Sequence, residues 1–79
     1  MEPDMTRILI ANDRCEADLK EILDLEIRAQ DGYETFKGGI EAFIETCHSY
    51  DQPISDAIEA FGVSSDQWAQ WLKTAGVSE

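Results

Sequence analysis

His48, the one histidine of the chain, follows Cys47, a neighbour from which an imidazole could in principle take a proton. Adjacent residues of a helix project about 100° apart, so this pair cannot close a Cys-His dyad without distortion, and His48 reads as a helix-surface side chain. No CxxC, HxxxH or calcium-loop pattern occurs, so neither a metal site nor a cofactor is expected. What remains is carboxylate: Asp and Glu number 17 against 6 Lys and Arg, a formal net charge of -11 on 79 residues. Such a field repels nucleic acid and anionic membrane and attracts basic surfaces. Self-repulsion on this scale costs stability, which suggests a use. Carboxylates spaced along helices can imitate the phosphates of a duplex and occupy the basic groove of a nucleic-acid-binding protein, with steered association and marked salt dependence.

The elements that must position these groups belong to one domain, because the chain is long enough for a single modest core and no more. Apolar residues at 43% argue for a folded chain despite 29% charged residues. No run reaches the roughly 18 to 20 apolar residues that span a bilayer. Met1-Glu2-Pro3-Asp4 lacks the positive start of a signal peptide, so a cytoplasmic location is the expectation. Cys15 and Cys47 have no partner spacing and read as reduced, half-buried thiols.

Residues 6 to 11 include Ile8-Leu9-Ile10, which fits the end of a short helix begun at Pro3 or a strand whose one partner is 33 to 37, bounded by Gly32 and Gly38-Gly39. Asp13 and Glu16 resemble a capping box for a helix to about Gln30, with Cys15, Leu19, Ile22, Leu23 and Ile27 inward. Its outer face carries Glu16, Lys20, Asp24 and Arg28 in steps of four, each adjacent pair of opposite sign. After Gly38-Gly39 a second helix is signalled by Ile40, Phe43, Ile44 and Cys47. A third, about 53 to 61, turns Ile54, Ala57, Ile58 and Phe61 inward, and a last one, capped by Ser64 or Ser65, carries Trp68, Trp71, Leu72 and Ala75 until Gly76 ends it. Tyr33, Phe36 and Tyr50 fall outside these stripes and are candidate contact residues.

In Phe61-Gly62-Val63-Ser64 the glycine permits a left-handed turn, Val63 plugs the corner, and Trp68 and Trp71 follow where a last helix needs anchors. On these residues, 53 to 73 resembles the helix-turn-helix superfamily of repressor-like domains, and 40 to 76 resembles its trihelical unit. The family usually has a small residue four before the glycine; here Ile58 stands there, with Ala57 beside it. The resemblance implies that Ser64, Ser65, Gln67 and Gln70 lie on or near the outer face of a recognition helix, where glutamine can pair with adenine. Lys73 would be its one charged phosphate contact. Residues 38 to 79 set that single cation against Glu41, Glu45, Asp51, Asp56, Glu59, Asp66 and Glu79, whereas specific DNA binders commonly make about six to ten phosphate contacts.

The expected fold is therefore mainly α. It is a small bundle of four to five helices in one acidic domain, with a C-terminal helix-turn-helix-like unit at 40 to 76 and a two-stranded pairing of 6 to 11 with 33 to 37 as the alternative local structure. The expected function is non-enzymatic: an acidic protein, monomer or homodimer, that inhibits or modulates a basic nucleic-acid-binding protein or complex. Size and charge suggest a phage or mobile-element inhibitor of the anti-CRISPR or anti-restriction kind. Its contact residues would be Asp18, Glu21, Glu41, Glu45, Asp56, Glu59 and Asp66, with membrane binding and direct nucleic-acid binding unexpected. The competing expectation is a helix-turn-helix transcription regulator using Ser64, Ser65, Gln67, Gln70 and Lys73.

Overall fold

In the computed structural model, which describes residues 9–77, the first helix is capped by Asn12 rather than by an Asp13-Glu16 box. The Asn12 side chain accepts from the backbone N–H groups of Arg14 at 2.9 Å and Cys15 at 3.0 Å. Asn and Asp cap equally well, so composition alone did not distinguish neighbouring registers; Asp13 and Glu16 instead fall inside the first turn, where their charge suits the helix dipole. This helix, α1 (Asp13–Ile22), runs on into a π-helical turn, Leu23–Ile27, closed by Arg28 N–H donating to the Leu23 carbonyl at 2.8 Å. Cys15, Leu19, Leu23 and Ile27 are all buried and spaced four apart. A four-residue step in an α-helix rotates about 40° past a full turn. A wider i→i+5 turn rotates the other way, returning Ile27 to the buried side. Ile22, outside that spacing, is only half-buried. Of the charge ladder, Lys20 to Asp24 closes at 2.8 Å with both side chains well exposed, a pairing worth a few tenths of a kcal/mol.

The second helix, α2 (Tyr33–Ser49), begins well before Gly38-Gly39 and overturns two expectations. Tyr33 to Lys37 form its first turns, so no strand pairs them with 6–11, and the described residues contain no strand at all. Half of that pairing's other arm, 6 to 8, and most of the alternative helix from Pro3 lie outside the described residues; Leu9 and Ile10 form a bend with Ile10 buried. The glycine that breaks the chain is Gly32, the N-cap at φ 119°, a conformation side-chain-bearing residues rarely adopt. Gly38 and Gly39 are helical. Gly39 is small because α2 crosses the π-helical turn there: a Cβ at Gly39 would lie 2.7 Å from Glu26 Cβ and 3.0 Å from Ile27 Cγ1.

Every other element packs on α2, whose Ile40, Phe43 and Cys47 are fully or almost fully buried. α3 (Ile54–Ala60) follows Pro53, and α4 (Ser65–Ala75) follows the turn at 61–64, where Ser64 Oγ accepts from Gln67 N–H at 3.0 Å. Gly62 at φ 74° lets Val63 N–H reach the Ile58 carbonyl at 2.9 Å and Gly62 N–H reach that of Glu59 at 3.0 Å, the paired bonds of a Schellman end. Val63 is buried as the corner plug, and Ala57 supplies the fully buried small residue that Ile58 cannot. Trp68 packs on Phe43 with ring centroids 5.2 Å apart, and Trp71 meets Trp68 edge-on at 6.3 Å. α2, α3 and α4 thus pack together as part of a small helical bundle, and the first of them begins at Tyr33 rather than Ile40.

Gly76 ends α4 with the same pair of bonds, and α2 ends with them around Asp51, a non-glycine residue at φ 55°. Asp51 N–H donates to the His48 carbonyl at 3.1 Å and Gln52 N–H to that of Cys47 at 2.7 Å. A left-handed conformation costs an L-residue with Cβ about 1 kcal/mol, partly recovered by aspartate. Asp51→Gly is expected to stabilise by about 0.5 kcal/mol, a Tm rise of roughly 3 °C by circular dichroism. A lowered Tm would mean that the exposed Asp51 side chain supports the turn.

Candidate functional site

Burying one apolar stripe on each helix turns the carboxylates outward, and the seven candidates divide into separate groups. Asp18 and Glu21 are exposed on α1, Glu41 and Glu45 on α2, Glu59 on α3 and Asp66 in the first turn of α4; Asp56 is half-buried. Tertiary packing brings Asp18 and Glu45 together across the α1–α2 seam, where they line a depression of about 400 Å³ with Ala42, Thr46, Ser49 and Tyr50. Tyr50 Oη donates to Asp18 Oδ2 at 3.3 Å. Burial, and after it the Asp18 charge, push the Tyr50 phenol above its ordinary range, so it stays a neutral donor. The depression offers two carboxylates and three hydroxyls, a set suited to a guanidinium or ammonium group.

Glu41 is committed elsewhere: Lys37 Nζ donates to its Oε2 at 2.8 Å, one turn away on α2. That hydrogen bond, then the Glu41 charge, raise the Lys37 ammonium above its ordinary value. These two line a second depression with Tyr33, Glu34 and Gly38. Glu21 lines neither depression, and Asp56, Glu59 and Asp66 belong to the α3–α4 half.

On α4, Ser65, Gln67, Gln70 and Lys73 are exposed as a recognition helix requires, but the Ser64 hydroxyl is spent on capping. His48 is exposed while Cys47 is fully buried, so the adjacent pair diverges as helix geometry demands. Neither cysteine is in a disulfide and both are fully buried, deeper than the half-burial expected, because each sits in the inward stripe of its helix. Burial, then the Asp18 charge, push the Cys15 thiol up, away from the thiolate a nucleophile needs. Among the described residues no group of three His, Cys, Asp or Glu could hold a metal ion, and no helix is long and apolar enough to cross a membrane.

Sequence reasoning missed a third feature. Ile27, Tyr33, Phe36 and Trp71 line an apolar groove of about 420 Å³, with Gln30, Gly32 and Thr74 at its edges. Tyr33 is 55% exposed, and its hydroxyl donates to the Ala75 carbonyl at 3.1 Å, tying the start of α2 to the end of α4. Tyr33 and Phe36 falling outside every apolar stripe was the available signal. Starting the second helix only after Gly38-Gly39, with a strand as the alternative for 33 to 37, and reading Trp71 as core hid it.

No family model, curated protein or solved structure matches this chain.

Proposed function

We propose that this chain is a non-enzymatic acidic binding protein that inhibits or modulates a basic nucleic-acid-binding protein, with its carboxylates standing where a duplex would present phosphates. The observation that carries the reading is that each of the four α-helices of the described residues turns exposed carboxylates outward: Asp18 and Glu21, Glu41 and Glu45, Glu59, and Asp66. On a chain of net charge -11, such an arrangement steers a basic partner at long range and opposes direct contact with DNA. An inhibitor of the anti-CRISPR or anti-restriction kind is the concrete form this takes.

The test is affinity capture from the cells that make the protein, wild type beside a Glu21→Lys, Glu45→Lys, Asp66→Lys triple variant. Wild type is expected to enrich a nucleic-acid-binding protein and release it with added salt. Affinity of the triple variant for that captured partner should fall by about a hundredfold, because each reversal replaces attraction by repulsion. Unchanged affinity sinks the reading.

The exposure of Ser65, Gln67, Gln70 and Lys73 on α4 favours one second reading, a helix-turn-helix DNA-binding transcription regulator. A gel shift of random duplex DNA at about 50 mM salt by the chain itself would support it, since even weak non-specific binders shift there.

A further inference from the structure

We propose that the groove walled by Tyr33, Phe36 and Trp71 seats an arginine-rich segment of the partner through one apolar anchor side chain. This rests on the reading that the partner is a basic protein, and it specifies where binding energy concentrates. Interfaces draw most of their affinity from a few anchors in desolvated apolar pockets, while surrounding charges steer and select. Here three aromatic rings and Ile27 form a concave apolar surface on a strongly acidic molecule. The wall is held in shape by the Tyr33 hydrogen bond to Ala75, so an occupant meets a preformed seat.

Charge complementarity selects the occupant. Tyr33 lines both this groove and the neighbouring depression that contains Glu34 and Glu41. Lys37 there is held by Glu41, while Glu34, and Asp31 beside Gly32, are exposed and make no ion pair among the described residues. An incoming cation is drawn to these carboxylates on the Tyr33 side. An arginine there can stack on the Tyr33 ring and face Glu34 while the adjacent apolar side chain fills the groove. A second copy of this chain, equally acidic, would be repelled, as would an anionic membrane.

Fluorescent arginine-rich peptides provide the probe: one with a central Leu-Phe-Leu, the other an equally charged control with Gly-Ser-Gly in its place. Binding at low salt is measured by anisotropy, and the site is mapped by amide and indole NMR shifts on the full chain. The Leu-Phe-Leu peptide is expected to bind about tenfold tighter and to move the Gly32 amide and Trp71 indole signals. Thr74→Glu, at an exposed edge of the groove, should abolish that advantage although it makes the protein more acidic. An advantage that survives Thr74→Glu overturns the groove assignment. Equal binding of the two peptides with unmoved Gly32 and Trp71 signals also overturns it, and leaves the acidic-surface reading standing. Failure of both peptides to bind overturns both.

Discussion

Trp68→Ala is expected to cost about 4 kcal/mol and Trp68→Phe about 1 kcal/mol, a contrast measurable in urea unfolding followed by circular dichroism. Trp68 is 6% exposed and joins α4 to α2 through its contact with Phe43 at 5.2 Å. Truncation to alanine leaves a cavity at the meeting point of α2 and α4, and large aromatic deletions cost about 3 to 5 kcal/mol. A domain of this size has a total stability of roughly 4 to 12 kcal/mol, so the alanine variant sits near the edge of folding. Phenylalanine keeps a ring against Phe43. It also removes the indole Nε1–H, which is buried without a hydrogen-bond partner among the described residues. A buried unsatisfied donor costs about 1 to 3 kcal/mol, and its removal offsets part of the lost volume. If phenylalanine costs as much as alanine, the indole N–H is not a liability in the fold.

The same residue marks where sequence reasoning succeeds. Gly62, Val63, Ser64, Trp68 and Gly76 act through local geometry: a left-handed turn, a hydroxyl within reach of an N–H three residues on, and apolar positions one turn apart. Each was legible, and α3 and α4 lie within a residue of their expected bounds. What was not legible depends on contacts between distant segments. Gly38-Gly39 is indistinguishable from a chain break until α2 is seen crossing the π-helical turn at Gly39. The strict four-residue spacing of Cys15, Leu19, Leu23 and Ile27 did contain a hint of that turn, because an unmodified α-helix would carry the last of them off the buried face.

The candidate site divides in the same way. That Asp18, Glu21, Glu41, Glu45, Glu59 and Asp66 face outward follows from the apolar stripes alone. That Asp18 and Glu45 share a depression depends on how α1 lies on α2, which no helical period encodes. The Lys37–Glu41 pair is an i, i+4 contact and was readable in principle; starting the helix only after Gly38-Gly39 concealed it. The apolar groove escaped for both reasons, since it needs helical Tyr33 and Phe36 and the end of α4 brought against them.

Neighbouring glycines in α2 should respond to alanine with opposite signs. Gly38 has nothing within 4 Å of the position its Cβ would take, so Gly38→Ala adds helix propensity and is expected to stabilise by about 0.5 to 1 kcal/mol. Gly39→Ala gains the same propensity but places a methyl group 2.7 Å from Glu26 Cβ and 3.3 Å from the Glu26 backbone carbonyl carbon. Neither atom is the far end of a flexible side chain, so relief requires α2 to move away from the π-helical turn. Overpacking of this kind costs about 1 to 3 kcal/mol, and contact with backbone puts Gly39→Ala at the upper end, near 3 kcal/mol, after its propensity gain. The two variants differ by a single methyl group at adjacent positions, so their unfolded chains are closely alike and the difference reports the native contact. Thermal melts should place Gly38→Ala above wild type and Gly39→Ala well below it. If both variants rise, α2 and the π-helical turn do not approach as closely as Gly39 allows. The displacement expected in Gly39→Ala also reaches the groove, because Ile27 and Phe36 are drawn from these same two elements. Loss of the apolar-anchored peptide by a Gly39→Ala protein that remains folded would therefore link the packing at this crossing to recognition.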